Sequence, residues 1–210
     1  MAQSMTAIVL AAGLSRRMGN KNKLLLPFGD NTILGTTLTQ ILNAQLGATL
    51  LVLGHEATTV WESLCLSDGV IPNHSVAIIV NANFEKGITT SIQTGVAAAD
   101  KAGRGAGYII CLSDMPFITS ADYQYLTTEF LKRLAVDNQA IVQPVFKNER
   151  GNPTIFSSFY KKHILELNNT EGCKPIVQAY KKHVYLVEMP TDAVLRDIDV
   201  QEEYAAIMSK

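Results

Sequence analysis

Leu10-Ala11-Ala12-Gly13-Leu14-Ser15-Arg16-Arg17-Met18-Gly19, followed by Lys23-Leu24-Leu25, is the stretch on which the fold turns. It continues a short apolar run, Thr6 to Leu10, that predicts a buried β-strand. The chain then turns through small residues, which lets backbone N–H groups come close to a ligand. Arg16, Arg17, Lys21 and Lys23 sit within eight residues of one another, just past the carboxyl end of that strand. In open α/β sheets this edge is where ligands bind. Small residues plus cations there suit a polyphosphate. No G-x-x-x-x-G-K-S/T sequence is present, which rules out a P-loop, and no G-x-G-x-x-G follows a strand, which argues against a dehydrogenase-type dinucleotide site. A basic surface loop with solvated arginines is the alternative that spacing leaves open.

Outward from this loop, β-rich runs alternate with segments of helical period, which argues an α/β layer structure around a largely parallel sheet. Further strands are expected at 49–53, 76–80, 108–112, 141–146 and 183–187. Asn31-Thr32 offers an N-cap before the stripe Leu34, Leu38, Ile41 and Leu42, and a second helix carries Val60, Trp61 and Leu64. Ser91 to Asp100 predicts a helix. Thr119 and Asp122 form a capping-box pair ahead of Tyr123, Leu126, Phe130 and Leu134. Ser157 to Leu167 predicts another helix, and Pro175 suits the first turn of a short one ending near Lys181-Lys182. No repeat or linker interrupts the 210 residues, so a single domain over 1–210 is expected.

Composition narrows the function classes. Hydrophobic residues make up 47% and charged residues 18%, with a net charge of −1, so no general pull toward nucleic acid or an anionic membrane is expected. The N-terminal apolar stretch is too short to span a bilayer and lacks a basic leader. Cys65, Cys111 and Cys173 are odd in number and far apart, which builds neither a disulfide framework nor a Cys-x-x-Cys metal site. A soluble, cytoplasmic protein is expected.

Two places carry acids in suggestive settings. Asp114 of Leu112-Ser113-Asp114-Met115-Pro116 follows an apolar strand directly, where it could begin a turn or hold a hard cation. Asp197 and Asp199, two residues apart, share a face if that piece is extended; a metal edge and a solvated edge strand both fit. His55, His74, His163 and His183 show no zinc spacing, and His163 and His183, each after a Lys-Lys pair, are expected on the surface. Ser15, Ser91 and Ser113 lack the context of a nucleophile elbow.

The opening motif resembles the signature of nucleotidyltransferases related to molybdenum cofactor cytidylyltransferase and guanylyltransferase. The likeness continues through Val52-Leu53-Gly54, Asn81, Gly87-x-x-x-Ser91-Ile92, Ser113-Asp114-Met115-Pro116, Gly151-Asn152-Pro153 and Asp197-Ile198-Asp199, covering nearly the whole chain in family order. The resemblance implies a Rossmann-like α/β fold with a mostly parallel twisted sheet flanked by helices. It implies that Leu10, Ala11, Ala12, Gly13 and Ser15 wrap the base and phosphates, and that Arg17 and Lys23 neutralise the triphosphate. Gly54 also falls in the nucleotide-binding set, with Asn81, Gly87 and Ser91 near the base or ribose. Asp114 would ligate Mg²⁺ with Asp197 or Asp199, and Gly151, Asn152 and Pro153 would line the acceptor side. Arg17, Lys23 and Asp114 are the expected catalytic residues.

Guanylyl-transferring relatives typically carry Leu-Ala-Gly-Gly where this chain has Leu10-Ala11-Ala12-Gly13, whereas cytidylyl-transferring ones carry Ala-Ala-Gly. The methyl of Ala12 narrows the space beside the base, which leans toward CTP. The expected reaction moves CMP from CTP to a molybdopterin-type acceptor, with transient contact to a molybdoenzyme or its chaperone. A GTP-using guanylyltransferase, a sugar-1-phosphate nucleotidyltransferase and a non-catalytic nucleotide-binding regulator are the rivals. The chain departs from the family pattern at Thr170, at Gly172-Cys173-Lys174 and at Val200-Gln201, all toward the acceptor end.

Overall fold

The structure, a computed structural model, describes residues 5–15, 22–66, 76–102 and 105–198. In chain order it forms β1 (Met5–Ala11), a small hairpin of β2 (Pro27–Phe28) and β3 (Asn31–Thr32), and α1 (Ile33–Asn43). Then come β4 (Gly47–Leu53), α2 (Ala57–Leu66), β5 (Ala77–Val80), α3 (Ile88–Ala102), β6 (Gly107–Leu112) and α4 (Ser120–Leu134). The last third holds β7 (Ile141–Phe146), β8 (Glu149–Arg150), β9 (Thr154–Ser157), α5 (Lys161–Leu165), α6 (Lys174–Ala179) and β10 (Val184–Glu188). The main sheet runs β10-β7-β9-β6-β1-β4-β5, with β8 paired to β7.

All seven residues of β1 are buried, as the apolar run requires. Alternation sends its side chains to two cores. Ala7, Val9 and Ala11 join the face that carries Leu34 and Leu38 of α1, Val60 of α2 and Phe130 of α4. Ile8 and Leu10 join the opposite face, against Ile92 and Val96 of α3 and Ile164 of α5. β1 pairs in parallel with β4 on one side and β6 on the other. The chain therefore moves outward from β1 through β4 to β5, then crosses back over the sheet by α3 to enter β6. The strand order reverses between β1 and β6, and a crevice opens at the carboxyl ends of that pair.

The caps agree with the sequence. Thr32 accepts from the Gly35 N–H at 3.0 Å, and Thr119 and Asp122 form the full reciprocal box. The main correction concerns the expected helix from Ser157 to Leu167. Thr154–Ser157 is instead a strand, antiparallel to both β6 and β7, and the α-helix is confined to Lys161–Leu165. Thr154, Ile155 and Phe156 are strand formers. Ser157 anchors the strand's end through its N–H to the Ala140 carbonyl (3.1 Å) and its hydroxyl to the Asn138 carbonyl (2.7 Å). This inserted strand makes the sheet mixed.

The two histidines expected on the surface are half-buried. His163 stacks on Phe159 and hydrogen-bonds the Tyr180 hydroxyl at 2.8 Å, while His183 Nδ1 lies 2.9 Å from Asp137 Oδ2. Each histidine follows an exposed lysine, Lys162 or Lys182, and itself rotates inward. Among the described residues no helix is long and apolar enough to cross a membrane.

Candidate active site

The carboxyl end of β1 and the carboxyl end of β6 are tied together where the crevice opens. The buried Ser113 hydroxyl donates to the Leu10 carbonyl at 2.7 Å. Ser113 follows the last residue of β6, so this bond fixes the direction in which Asp114 leaves the sheet. The sequence gives no sign of it, since a serine before Asp-Met-Pro reads equally well as a turn residue.

Asp114 and Lys23 meet at the crevice wall. Lys23 Nζ lies 2.5 Å from Asp114 Oδ2, with side-chain exposures of 15% and 13%. The other carboxylate oxygen, Oδ1, is buried and has no hydrogen-bond partner among the described residues. A backbone bond from the Ile198 N–H to the Asp114 carbonyl (3.0 Å) brings Asp197 alongside. Asp197 is exposed. Among the described residues no three His, Cys, Asp or Glu side chains form a closed metal cage. An open site of one or two carboxylates, completed by water and phosphate oxygens, is the arrangement magnesium ordinarily uses.

The loop after β1 is pinned at both ends. Ser15, at a positive φ of 48°, accepts the Lys23 N–H on its hydroxyl at 3.3 Å. Asn22 caps the 3-10 turn Lys23–Leu25 by accepting the Leu24 N–H at 3.1 Å, and its amide donates to Glu56 at 3.0 Å. Asn22 and Glu56 thus hold Lys23 in place, and neither was expected from the sequence. Arg16, Arg17, Lys21 and Asp199 lie outside the described residues.

A cavity of about 480 Å³ fills the crevice, lined by Leu10, Ala12, Gly13, Leu14 and Ser15 from the first loop and by Lys23 and Leu24. Leu112, Ser113 and Asp114 form another wall, with Phe84, Glu85, Gly87, Ile88 and Ser91 opposite. Six residues of the expected nucleotide and metal set therefore share one cleft with Lys23 and Asp114: Leu10, Ala12, Gly13, Ser15, Gly87 and Ser91. Phe84 and Glu85 are additions, carried by a 3-10 turn, Phe84–Lys86, that periodicity cannot reveal.

Three residues of the expected set stand behind the wall. Ala11 points into the core at 1% exposure. Gly54 supports Ala12 and Phe84: a methyl built on it would lie 2.8 Å and 2.7 Å from their Cβ atoms. Asn81, 2% exposed, spends its amide on the Thr90 and Ser91 hydroxyls (2.9 and 3.0 Å) and its oxygen on the Asn83 N–H (2.9 Å). It shapes the approach to Ser91 from below.

A second cavity, of about 450 Å³, adjoins the first and shares Ile88 and Leu112 with it. Gly151 and Asn152 line it, whereas Pro153 is buried behind them after a cis peptide bond. Its floor is apolar, from Ile92, Ile110, Phe156 and Val177, and its rim carries Gln143, Arg150, Lys174 and Gln178.

The profile of the MobA-like NTP transferase domain matches residues 7–184. No curated protein matches the chain by sequence. Among solved structures, the Rv0371c protein of Mycobacterium tuberculosis H37Rv is similar over 100% of both chains, with 25% identity and a TM-score of 0.82. A manganese complex of Rv0371c is similar at 23% identity and TM-score 0.74, over 99% of each chain. A nucleotidyl transferase from Methanothermobacter shares the fold at 20% identity and TM-score 0.79, over 98% of this chain and 96% of that one. The mixed sheet, the crevice at the β1–β6 reversal and the domain match over residues 7–184 place this chain in the MobA-like NTP transferase family, a family of nucleotidyltransferases.

Proposed function

We propose that the protein transfers CMP from CTP to the phosphate of a molybdopterin-type acceptor and releases pyrophosphate. The observation that carries this reading is the pairing of Lys23 with Asp114 in a cleft floored by small residues and joined to a second cavity. In the reaction an acceptor phosphate oxygen bonds to the α-phosphorus while the bond from that phosphorus to the bridging oxygen breaks, and the electron pair leaves with pyrophosphate. Both partners are anions, so positioning and charge neutralisation carry the catalysis, with no protein nucleophile needed.

Each residue has a part in this. Leu10 and the turn from Ala12 to Ser15 border the nucleotide, and Gly87 and Ser91 face it from the start of α3. Lys23, with Arg17, neutralises charge that grows on the leaving pyrophosphate. Asp114 offers a buried carboxylate oxygen that no hydrogen bond among the described residues satisfies, which fits a divalent cation, with Asp197 or Asp199 as second ligand. Such a cation supplies neutralisation of the polyphosphate and polarisation of its P–O bonds when bound. The solved manganese complex of Rv0371c supports a divalent metal, and Mg²⁺ is the natural choice for an oxygen-only site. Gly151 and Asn152 border the cavity in which the acceptor would lie, with Pro153 behind them.

Ala12 supports CTP. Its methyl lines the cleft in front of Gly54, where it narrows the space beside the base and so favours a pyrimidine over a purine. The test is product analysis after incubation with Mg²⁺, molybdopterin and each NTP in turn. A cytidylyl adduct as the main product is the expected result. A guanylyl adduct, or an adduct formed only with a sugar 1-phosphate, would replace the assignment.

A further inference from the structure

The first turn of α3 is the partition between the two cavities, and its faces divide by helical spacing. Gly87 and Ser91 line the nucleotide cavity, whereas Ile92 lines the acceptor cavity and Ile88 borders both. Thr89 points a third way and is 1% exposed. Its hydroxyl donates to Asn169 Oδ1 at 3.0 Å and accepts the Gly172 N–H at 2.9 Å, residues some eighty positions later in the chain. Asn169 Oδ1 also accepts the Glu171 N–H at 2.7 Å. One buried hydroxyl therefore docks the segment 169–172 onto the start of α3.

The docking is close on both sides. A methyl on Gly87 would sit 3.2 Å from Thr170 Cβ, and one on Gly172 would sit 3.2 Å from Ile92 Cδ1. Both glycines have positive φ, at 103° and 69°, so the two backbones approach where neither could carry a side chain without strain. Immediately beyond the docked segment, Cys173 and Lys174 line the acceptor cavity. The walls of the two cavities are thereby joined through Thr89.

Building on the two-cleft reading above, we propose that Thr89 is a positioning residue that couples nucleotide occupancy to the shape of the acceptor cavity. A nucleotide resting on Gly87 and Ser91 holds the first turn of α3, which holds 169–172, which sets Lys174 at the acceptor rim. Nucleotide binding then precedes and tightens acceptor binding.

Cys173 supplies a reporter that needs no acceptor. It is 9% exposed, and burial pushes its thiol up to about 12, so labelling requires the segment to open. In a Cys65→Ser background, which removes the exposed thiol, alkylation of Cys173 is measured with and without metal and each NTP. Cys111, buried in β6, reports global unfolding in the same experiment.

Thr89→Val is expected to raise Cys173 labelling about tenfold, the scale of one buried hydrogen bond, with Cys111 still protected. NTP protection, present in the parent, is expected to disappear in Thr89→Val and return in Thr89→Ser. Asn169→Ala reads the same clamp from the other side should the valine variant fail to fold. Unchanged labelling and unchanged protection in these variants would overturn the proposal. Protection by GTP in place of CTP would overturn the base assignment and leave the coupling standing; protection by no NTP would overturn the coupling.

Discussion

The ammonium of Lys23 and the carboxylate of Asp114 meet at 2.5 Å in the wall of the cleft at the carboxyl ends of β1 and β6, each largely removed from solvent. The family resemblance implies that Lys23 neutralises the triphosphate; in the structure it also pairs with the acid that lines the same cavity. Breaking a desolvated pair from one side strands the other charge. Lys23→Ala should therefore lower the unliganded melting temperature as well as kcat/KM. The double variant with Asp114→Asn should cost less than the sum of the single changes, with a coupling of about 0.5–3 kcal/mol in a double-mutant cycle. Strict additivity would mean that the pair contributes nothing to stability.

Asp114→Asn should keep the fold and lower turnover about 10²–10³-fold, as loss of a preorganised electrostatic contact usually does. Raising the metal concentration should recover part of the loss, because the amide oxygen is a poorer ligand of the same size. Activity near the parent's at limiting metal would remove Asp114 from the metal site.

Where we propose that the base lies, the cleft is lined by Ala12 and Phe84, and Gly54 packs closely behind both. Ala12→Gly should narrow the ratio of kcat/KM for CTP over GTP, by no more than the roughly 10–200-fold that one methyl commands. Gly54→Ala should push Ala12 and Phe84 into the cavity, raise KM for every NTP and cost about 1–3 kcal/mol through overpacking. An unchanged CTP/GTP ratio in the first variant, or an unchanged KM in the second, counts against this geometry.

Far from the cleft, burial pushes the Asp137 carboxyl up. Hydrogen bonds from His183, the Gln139 N–H and Tyr185 outweigh it and hold the group below its ordinary value. A carboxyl whose folded value is depressed stabilises fully above its unfolded value, and that contribution is lost as pH falls through the folded one. The gap in melting temperature between parent and Asp137→Asn should thus stay constant near neutrality and close in acid, below the ordinary aspartate range. A gap that instead opened toward alkaline pH would contradict the assignment.

The parallel core and the loop after β1 were legible because buried strands are apolar and the ligand edge is marked by small residues. Thr119 and Asp122 were equally plain, since a capping box is local in sequence. β9 was not: four residues after Gly151-Asn152-Pro153 owe their strand to β6 and β7, and only tertiary pairing supplies them. The same holds in the cleft. Leu10, Ala12, Gly13, Ser15, Gly87 and Ser91 could be read from spacing and resemblance. Ser113, Asn22, Glu56 and Thr89 act through hydrogen bonds to residues between 34 and 103 positions away, or by capping, and no local pattern announces them.

The most direct measurement of the central claim is pyrophosphate release from CTP, with Mg²⁺ present, on addition of molybdopterin, compared between the parent, Lys23→Ala and Asp114→Asn. Release by the parent in step with cytidylyl product, fastest with CTP and strongly reduced in both variants, is the expected result. Tight nucleotide binding without pyrophosphate from any NTP, with or without a phosphate acceptor, would show a binding protein and contradict the enzyme.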